Sequence, residues 1–284
     1  MAEITMDIIK ELRALTNAGM MDCKKALIET NGDMEEAIKV LRKKGLATLG
    51  KRADKEAKEG LVAAAKCPCG AVALVEVNCE TDFVAKTEGF KGFVDKVAEK
   101  AAAGEADVAA AMQEDLSALV ASTGENMKIS RVERFTLEGT GKIESYIHTG
   151  GKVGVLVEIG CEKAETVESA DFAEFSRDIA LQIAALAPRW LDETQIPADV
   201  VESERALYVQ QIDADPKNAN KPENIKEGII KGKFRKFAAE VCLVDQEFVK
   251  ISKTSIRQHT DNISKKLGDK LVIRRYVRFQ LGQH

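Results

Sequence analysis

Residues 71–77, Ala-Val-Ala-Leu-Val-Glu-Val, carry one charge in seven positions, the pattern of a strand buried inside a fold. The chain then changes character at Asn78-Cys-Glu-Thr-Asp-Phe-Val-Ala-Lys86. Thr81 and Asp82 are residue types that cap a new helix with a side-chain oxygen, so the strand is expected to end at Asn78 and a helix to start just beyond. Phe83 falls in the first turn of that element, ahead of the apolar stripe Phe90, Phe93, Val94, Val97, Ala98 and Ala101. A ring placed there can protrude as a knob. Periodicity alone favours the opposite, a phenylalanine packed inward.

The N-terminus reads as three short helices. Thr5 is the expected N-cap of the first, with Ile8, Ile9, Leu12 and Leu15 along one face. Gly19 stops it, Met20-Met-Asp-Cys-Lys-Lys-Ala-Leu27 begins the second, and Asn31-Gly32 breaks that one. Asp33 and Glu36 stand at capping-box spacing at the start of the third, for which Gly45 is the expected left-handed C-cap.

Further along, the pattern divides the chain into a helical bundle over 1–45, a charge-dense tether over 46–60 and a first core subdomain over 61–140. A second core subdomain covers 141–196 and resumes over 241–284. Strands are expected over 61–66 and 71–77, joined by the Cys67-Pro-Cys-Gly70 turn, and over 129–137, 143–148, 153–159 and 271–281. Val153, Val155, Val157 and Ile159 alternate as in a half-buried strand. Helices are expected over 105–121 and 172–185, the latter closed by Pro188. Between 197 and 240, Val200, Val201, Leu207 and Ile212 on one segment and Ile225, Ile229, Ile230, Phe234 and Phe237 on another flank a polar loop, an antiparallel helical hairpin. Helices lying against antiparallel strands make the class α+β.

Several kinds of chemistry find no support. No run of about 18 apolar residues could span a membrane, and the N-terminus lacks the charged start and apolar core of a secretory signal, so a cytoplasmic protein is expected. Six cysteines over 284 residues are too sparse for a disulfide framework, and reduced thiols are expected. Cys67, Cys69 and Cys79 raise a zinc hypothesis, but a closed site needs four ligands; no metal and no cofactor are expected. Gly139-Thr-Gly-Lys142 and Gly150-Gly-Lys152 lack phosphate-loop spacing and are explained as hairpin turns. His148, His259 and His284 are scattered and suggest no triad. Residues 250–284 hold nine Lys or Arg against Asp261 and Asp269, but Arg274, Arg275 and Arg278 lie in a strand pattern without an RNA-binding signature, so direct nucleic-acid contact is not expected.

Two stretches in order, Asn17-Ala-Gly-Met-Met-Asp-Cys-Lys-Lys-Ala-Leu27 and Thr81-Asp-Phe-Val84 after Glu76-Val-Asn78, closely resemble the elongation factor Ts family, and the likeness extends along essentially the whole chain. The resemblance implies a ubiquitin-associated-like bundle, a two-subdomain core and a coiled-coil arm. It further implies a guanine nucleotide exchange factor, not an enzyme, whose partner is elongation factor Tu with GDP or nucleotide-free. By that resemblance Phe83 wedges into the GTPase near its magnesium-binding region with Asp82 assisting, flanked by Thr81 and Val84. Met20, Met21 and Lys24 dock the bundle on the nucleotide-binding domain, His148 and Gly124 lie at the interface, and Phe248 and Val249 reach the partner's third domain. Thr123 replaces a bulkier apolar residue, Glu247 stands where many members have proline, and some members continue beyond Gly282-Gln-His284 into a further helical module. Self-association is left open. A ubiquitin-associated-type adaptor would account for residues 1–45 but not for Thr81-Asp-Phe83; a thiol metalloprotein would rest on Cys67, Cys69 and Cys79.

Overall fold

The computed structural model describes residues 4–16, 18–52, 55–219 and 221–283; Asn17 and His284, both used in reading the sequence, lie outside them. The chain divides into two compact units. The first holds Met1–Thr136, Ser145–Leu156 and Phe279–His284, and the second Leu137–Glu144 and Val157–Arg278.

Three helices open the first unit: α1 (Met6–Thr16), α2 (Met20–Glu29) and α3 (Met34–Arg52). Thr5 Oγ1 accepts from Ile8 N at 3.4 Å, and Asp33 Oδ1 accepts from Glu36 N at 3.0 Å. Ile9, Leu12, Cys23, Ala26, Leu27, Ala37 and Leu41 form the bundle core, whereas Leu15 is exposed. The helix expected to stop at Gly45 continues to Arg52, so much of the expected tether is helical; residues 53 and 54 lie outside the described residues. Gly45 is not a left-handed cap. It is buried, and a Cβ there would stand 2.7 Å from the Ser117 carbonyl oxygen, so its missing side chain lets α3 lie against a later helix.

The sheet that follows runs β1-β2-β3, antiparallel, from β1 (Glu59–Lys66), β2 (Val72–Cys79) and β3 (Met127–Phe135). Between β2 and β3 come the single turn α4 (Asp82–Ala85), then α5 (Glu88–Ala103), α6 (Val108–Ala111) and α7 (Gln113–Thr123). The expected helix over 105–121 is thus two helices. Phe90, Phe93, Val94, Val97, Ala98 and Ala101 of α5 are buried with Ala73, Val75, Val77 and Cys79 of β2. The other face of β2 is buried as well. There Glu76, fully enclosed, accepts from Arg131 Nε at 2.8 Å, Asn78 Nδ2 at 3.1 Å and Gly282 N at 2.9 Å, which satisfies a charge too costly to bury alone.

The same plan recurs with β4 (Gly141–Ile147), β5 (Val153–Gly160), the single turn α8 (Ala164–Val167) and α9 (Ala170–Leu186). Glu158 on β5 matches Glu76 on β2, fully enclosed in its turn. It accepts from Glu138 N at 2.8 Å, Arg274 at 3.0 Å and Arg275 at 2.8 Å. Burial alone would raise its pKa, but these donors bring it below the usual carboxylate range. Cys79 and Cys161 each turn their sulfur toward a carbonyl two residues on, Thr81 O at 3.2 Å and Lys163 O at 3.3 Å. Gly60 (φ 140°) and Gly141 (φ 150°) start the first strands; a Cβ at either would lie 2.1 Å from the oxygen of Val77 or Ile159. Thr87 and Ser169 stand at the N-caps of the long helices, whose first buried rings are Phe90 and Phe172. The chain therefore contains a repeated β-β-α plan.

Two helices, α10 (Ala198–Ala214) and α11 (Glu223–Val241), then form the hairpin. Its buried contacts are Tyr208, Ile212 and Ile230; Leu207 and Ile225, expected on that face, are exposed. A helix not read in the sequence, α12 (Ile256–Leu267), precedes β6 (Val272–Gln280), and the second sheet has the order β4-β5-β6. β5 does not alternate, since its residues from Gly154 to Gly160 are all buried.

Candidate functional site

The Phe83 corner is built from its caps. Thr81, in extended conformation, accepts from Val84 N at 3.4 Å, and α4 lasts one turn before Thr87 caps α5 through Phe90 N at 3.3 Å. Two caps six residues apart in the sequence leave room for one exposed turn, and Phe83 sits in it, 78% exposed. The repeat supplies an internal comparison. Aligning Cys79 with Cys161 and Phe90 with Phe172 places Glu165 where Phe83 stands, so the second copy forms the same corner with a charged residue. A position that the fold fills with glutamate is a solvent position, and the ring at 83 is not needed to fold the corner. Val84 is half-buried against the core and Ala85 is buried, which fixes the direction in which the ring points.

Neighbouring segments hold this corner. Glu125, one residue beyond Gly124, takes Thr81 N at 3.0 Å on one carboxylate oxygen and Thr81 Oγ1 at 2.6 Å on the other, while Asn126 N donates to Glu80 Oε1 at 2.6 Å. Gly124 is the left-handed C-cap of α7 (φ 74°), so α7 ends where Glu125 can turn toward Thr81. Asp82 pairs with Lys86 at 2.5 Å, and this hydrogen bond, with Lys86 and Lys152 as nearby positive charges, lowers its pKa.

Lys152 belongs to the turn between β4 and β5, which also carries His148. That turn closes through Gly151 N to His148 O at 2.9 Å and is tied to β1 by Val62 N to Gly151 O at 2.7 Å, with Lys152 pairing Glu59 at 3.3 Å. His148 is exposed, its Nδ1 2.9 Å from the Tyr146 hydroxyl. Three segments far apart in sequence, 81–84, 124–126 and 148–152, therefore converge at one end of the first sheet. Glu125, Tyr146 and Lys152 escaped the sequence reading. Glu125 had a visible signal, an acid directly after a C-cap glycine; the other two became legible only once the hairpin was placed.

The remaining expected positions fare differently. Met21 is 64% exposed, Lys24 is exposed and Met20 half-buried, so α2 presents Met21 and Lys24 to solvent. Val249 is 52% exposed. Phe248 is 2% exposed and stacked on His259 with centroids 4.3 Å apart, so within this chain the ring packs against the unforeseen α12.

The thiol-metal alternative loses its geometry. Cys79 pairs with Glu59 at one end of the β1-β2 ladder, while the Cys67-Cys69 turn follows Lys66 at the other. Cys79 is buried, which pushes its thiol up to about 12, and Cys67 and Cys69 are bonded to each other through their sulfurs, contrary to the expected reduced turn. Among the described residues no three His, Cys, Asp or Glu gather to hold a metal, and no helix is long and apolar enough to cross a membrane.

Residues 80–283 match the family described as "Elongation factor TS". The chain is 42% identical over 294 residues to elongation factor Ts of Clostridium perfringens (strain 13 / Type A), covering 99% of this chain and 93% of the relative. Identity to elongation factor Ts of Trichlorobacter lovleyi is likewise 42% with the same coverage. That of Nostoc punctiforme is 41% identical over 298 residues, covering 100% of this chain and 94% of the relative. With the family matched across most of its length and relatives matched end to end, the chain belongs to the elongation factor Ts family.

Proposed function

We propose that this chain is a guanine nucleotide exchange factor for elongation factor Tu, active in the cytoplasm, and that it releases nucleotide without covalent chemistry. The observation that carries this reading is the exposed Phe83 ring, held by two helix caps and by Glu125 at a position where the second repeat has Glu165. A fold that tolerates glutamate there has no structural use for a phenyl group. Its apolar surface is stabilised only by entering a partner.

In this reading Phe83 inserts beside the magnesium-binding region of the GTPase, with Asp82 next to it. Magnesium bridges the nucleotide phosphates and supplies much of their grip, so displacing the segments around it loosens GDP. His148 and Lys152, on the neighbouring turn, face the phosphate side of the same interface. Met21 and Lys24 dock the bundle on the nucleotide-binding domain, methionine suiting an irregular surface, and Val249 contacts the third domain.

The test is release of a fluorescent GDP analogue from purified elongation factor Tu. Catalytic amounts of this chain should accelerate release by orders of magnitude, and Phe83→Ala should remove most of that acceleration. Release at the spontaneous rate in the presence of the folded wild-type chain would overturn the proposal.

A further inference from the structure

The β1-β2 turn lies outside everything the exchange reading uses. Each residue of β2 advances about 3.4 Å, which puts Cys67 and Cys69 roughly 20 Å from the Thr81 corner. The corresponding turn of the second repeat, His148-Thr-Gly-Gly-Lys152, closes without a cysteine, so the hairpin does not need these two to form. We infer that Cys67-Pro-Cys69 is a thiol–disulfide exchange site for low-molecular-weight thiols and disulfides, glutathione being the representative probe. This inference is independent of the exchange reading.

The two sulfurs face each other across the turn, with Cα atoms 5.1 Å apart, a separation that a disulfide can span. Their surroundings are unequal. Cys69 is exposed and Cys67 half-buried against the core of the first unit. Arg134 Nη2 lies 4.0 Å from Cys69 Sγ, and its guanidinium is fixed by Nε to Ala102 O at 3.0 Å and Nη1 to Thr136 Oγ1 at 3.0 Å. A positioned cation beside an exposed sulfur favours the thiolate, the attacking form. Cys67 Sγ instead receives Cys69 N–H at 3.1 Å, which keeps it within reach as the resolving partner.

The sequence of bonds follows. In the reduced turn, Cys69 thiolate attacks one sulfur of a glutathione disulfide, forming a mixed disulfide and expelling one glutathione thiolate. Cys67 then loses its proton and attacks the Cys69 sulfur, closing the Cys67–Cys69 bond and expelling the second glutathione. The protein loses two electrons and two protons, and one glutathione disulfide becomes two thiols. Excess reduced glutathione reverses each step.

The full-length chain is equilibrated in glutathione buffers of graded ratio, quenched with an alkylating agent and digested. The 67–69 peptide should switch between doubly alkylated and internally bonded forms. Cys67→Ser should trap a glutathione adduct on Cys69. Arg134→Gln should slow Cys69 alkylation at neutral pH several-fold, the positive charge that favours the thiolate being removed, with the melting temperature showing that the variant is folded. The proposal is overturned if the peptide stays doubly alkylated in the most oxidising buffer, or if Cys69 in the folded chain reacts no faster than in the urea-unfolded chain.

Discussion

Thr81 and Glu125 are joined twice, the backbone N–H of Thr81 reaching one oxygen of the Glu125 carboxylate at 3.0 Å and its hydroxyl reaching the other at 2.6 Å. One side chain thereby fixes both the end of β2 and the start of α4, and with them the direction of Phe83. Hydrogen bonds to a charged acceptor contribute about 1.5–3 kcal/mol each. Glu125→Ala should lower stability by a few kcal/mol at most and slow nucleotide release although Phe83 is untouched. Glu125→Gln, which keeps an acceptor for one of the two donors, should fall between. Nucleotide release and thermal melting on both variants check this; equal exchange by wild type and Glu125→Ala would show that the clamp does not aim the ring.

Phe83 and Phe93 make a paired test, since both are phenylalanines of the same segment, one exposed and the other buried. Phe93→Ala should cost roughly 3–5 kcal/mol. Phe83→Ala should change stability by no more than about 0.5 kcal/mol, as for an ordinary surface site, while abolishing most exchange. A large fall in melting temperature for Phe83→Ala would make it a structural residue.

Gly45 reverses a rule of thumb. An exposed helical glycine replaced by alanine gains about 1 kcal/mol of helix propensity, but here the new Cβ would meet the Ser117 carbonyl oxygen at 2.7 Å. Gly45→Ala should therefore lower the melting temperature, because α3 must move off α7. Gly232, an α11 glycine with nothing within 4 Å of its Cβ position, serves as the control and should gain stability on the same change.

Where one period governed both burial and conformation, the sequence was legible. The stripe on α5 and the cap at Thr81 needed nothing from outside the segment. Gly45 was misread because a glycine serves either a left-handed turn or a close approach, and only the neighbour at Ser117 distinguishes them. β5 was misread as alternating because its Val-x-Val-x-Val pattern says nothing of what covers the intervening residues. α12 was overlooked because Arg257, Gln258, Lys265 and Lys266 give it a polar surface with little besides Ile256 and His259 buried, although its Ser255–Gln258 capping box was open to view. The repeat went unread as well, its identities, such as Leu74-Val-Glu76 with Leu156-Val-Glu158 and Phe90 and Phe93 with Phe172 and Phe175, being scattered over two helix-and-strand segments that otherwise differ. That omission bore on function, because the repeat, with Glu165 at the matching position, shows that the corner folds without a ring at position 83.

His259 should make the second unit acid-sensitive. Its ring lies between Phe175 and Phe248 with centroid distances of 5.5 and 4.3 Å, and its buried Nε2 has no partner. Burial lowers its pKa below the usual 6.5, against the opposing pull of Asp178 and Glu174. A depressed folded-state value means that the unfolded chain binds the proton more readily. The stabilisation is fully present above the unfolded value and is lost as pH falls through about 6.5 toward the lower folded value. Denaturant midpoints measured between pH 7.5 and 5 should drop for wild type and drop less for His259→Phe; parallel curves would assign the acid sensitivity elsewhere.

The exchange reading finally demands a linkage. If the chain stabilises a GTPase conformation that holds GDP and magnesium poorly, GDP with magnesium must weaken binding of the chain by the same factor by which the chain weakens GDP. A ligand with equal affinity for both conformations shifts nothing, so surface docking through Met21, Lys24 and Val249 cannot by itself release nucleotide. The coupling must come from groups that contact the two conformations differently, and Phe83 is the residue assigned that role. Affinity for elongation factor Tu, measured by calorimetry with and without saturating GDP and magnesium, should differ greatly for wild type. For Phe83→Ala the two affinities should approach each other, chiefly through loss in the nucleotide-free state. If Phe83→Ala instead weakened binding equally in both states, the ring would be an anchor and not the source of coupling, and the wedge would have to be sought among Asp82, His148 and Lys152.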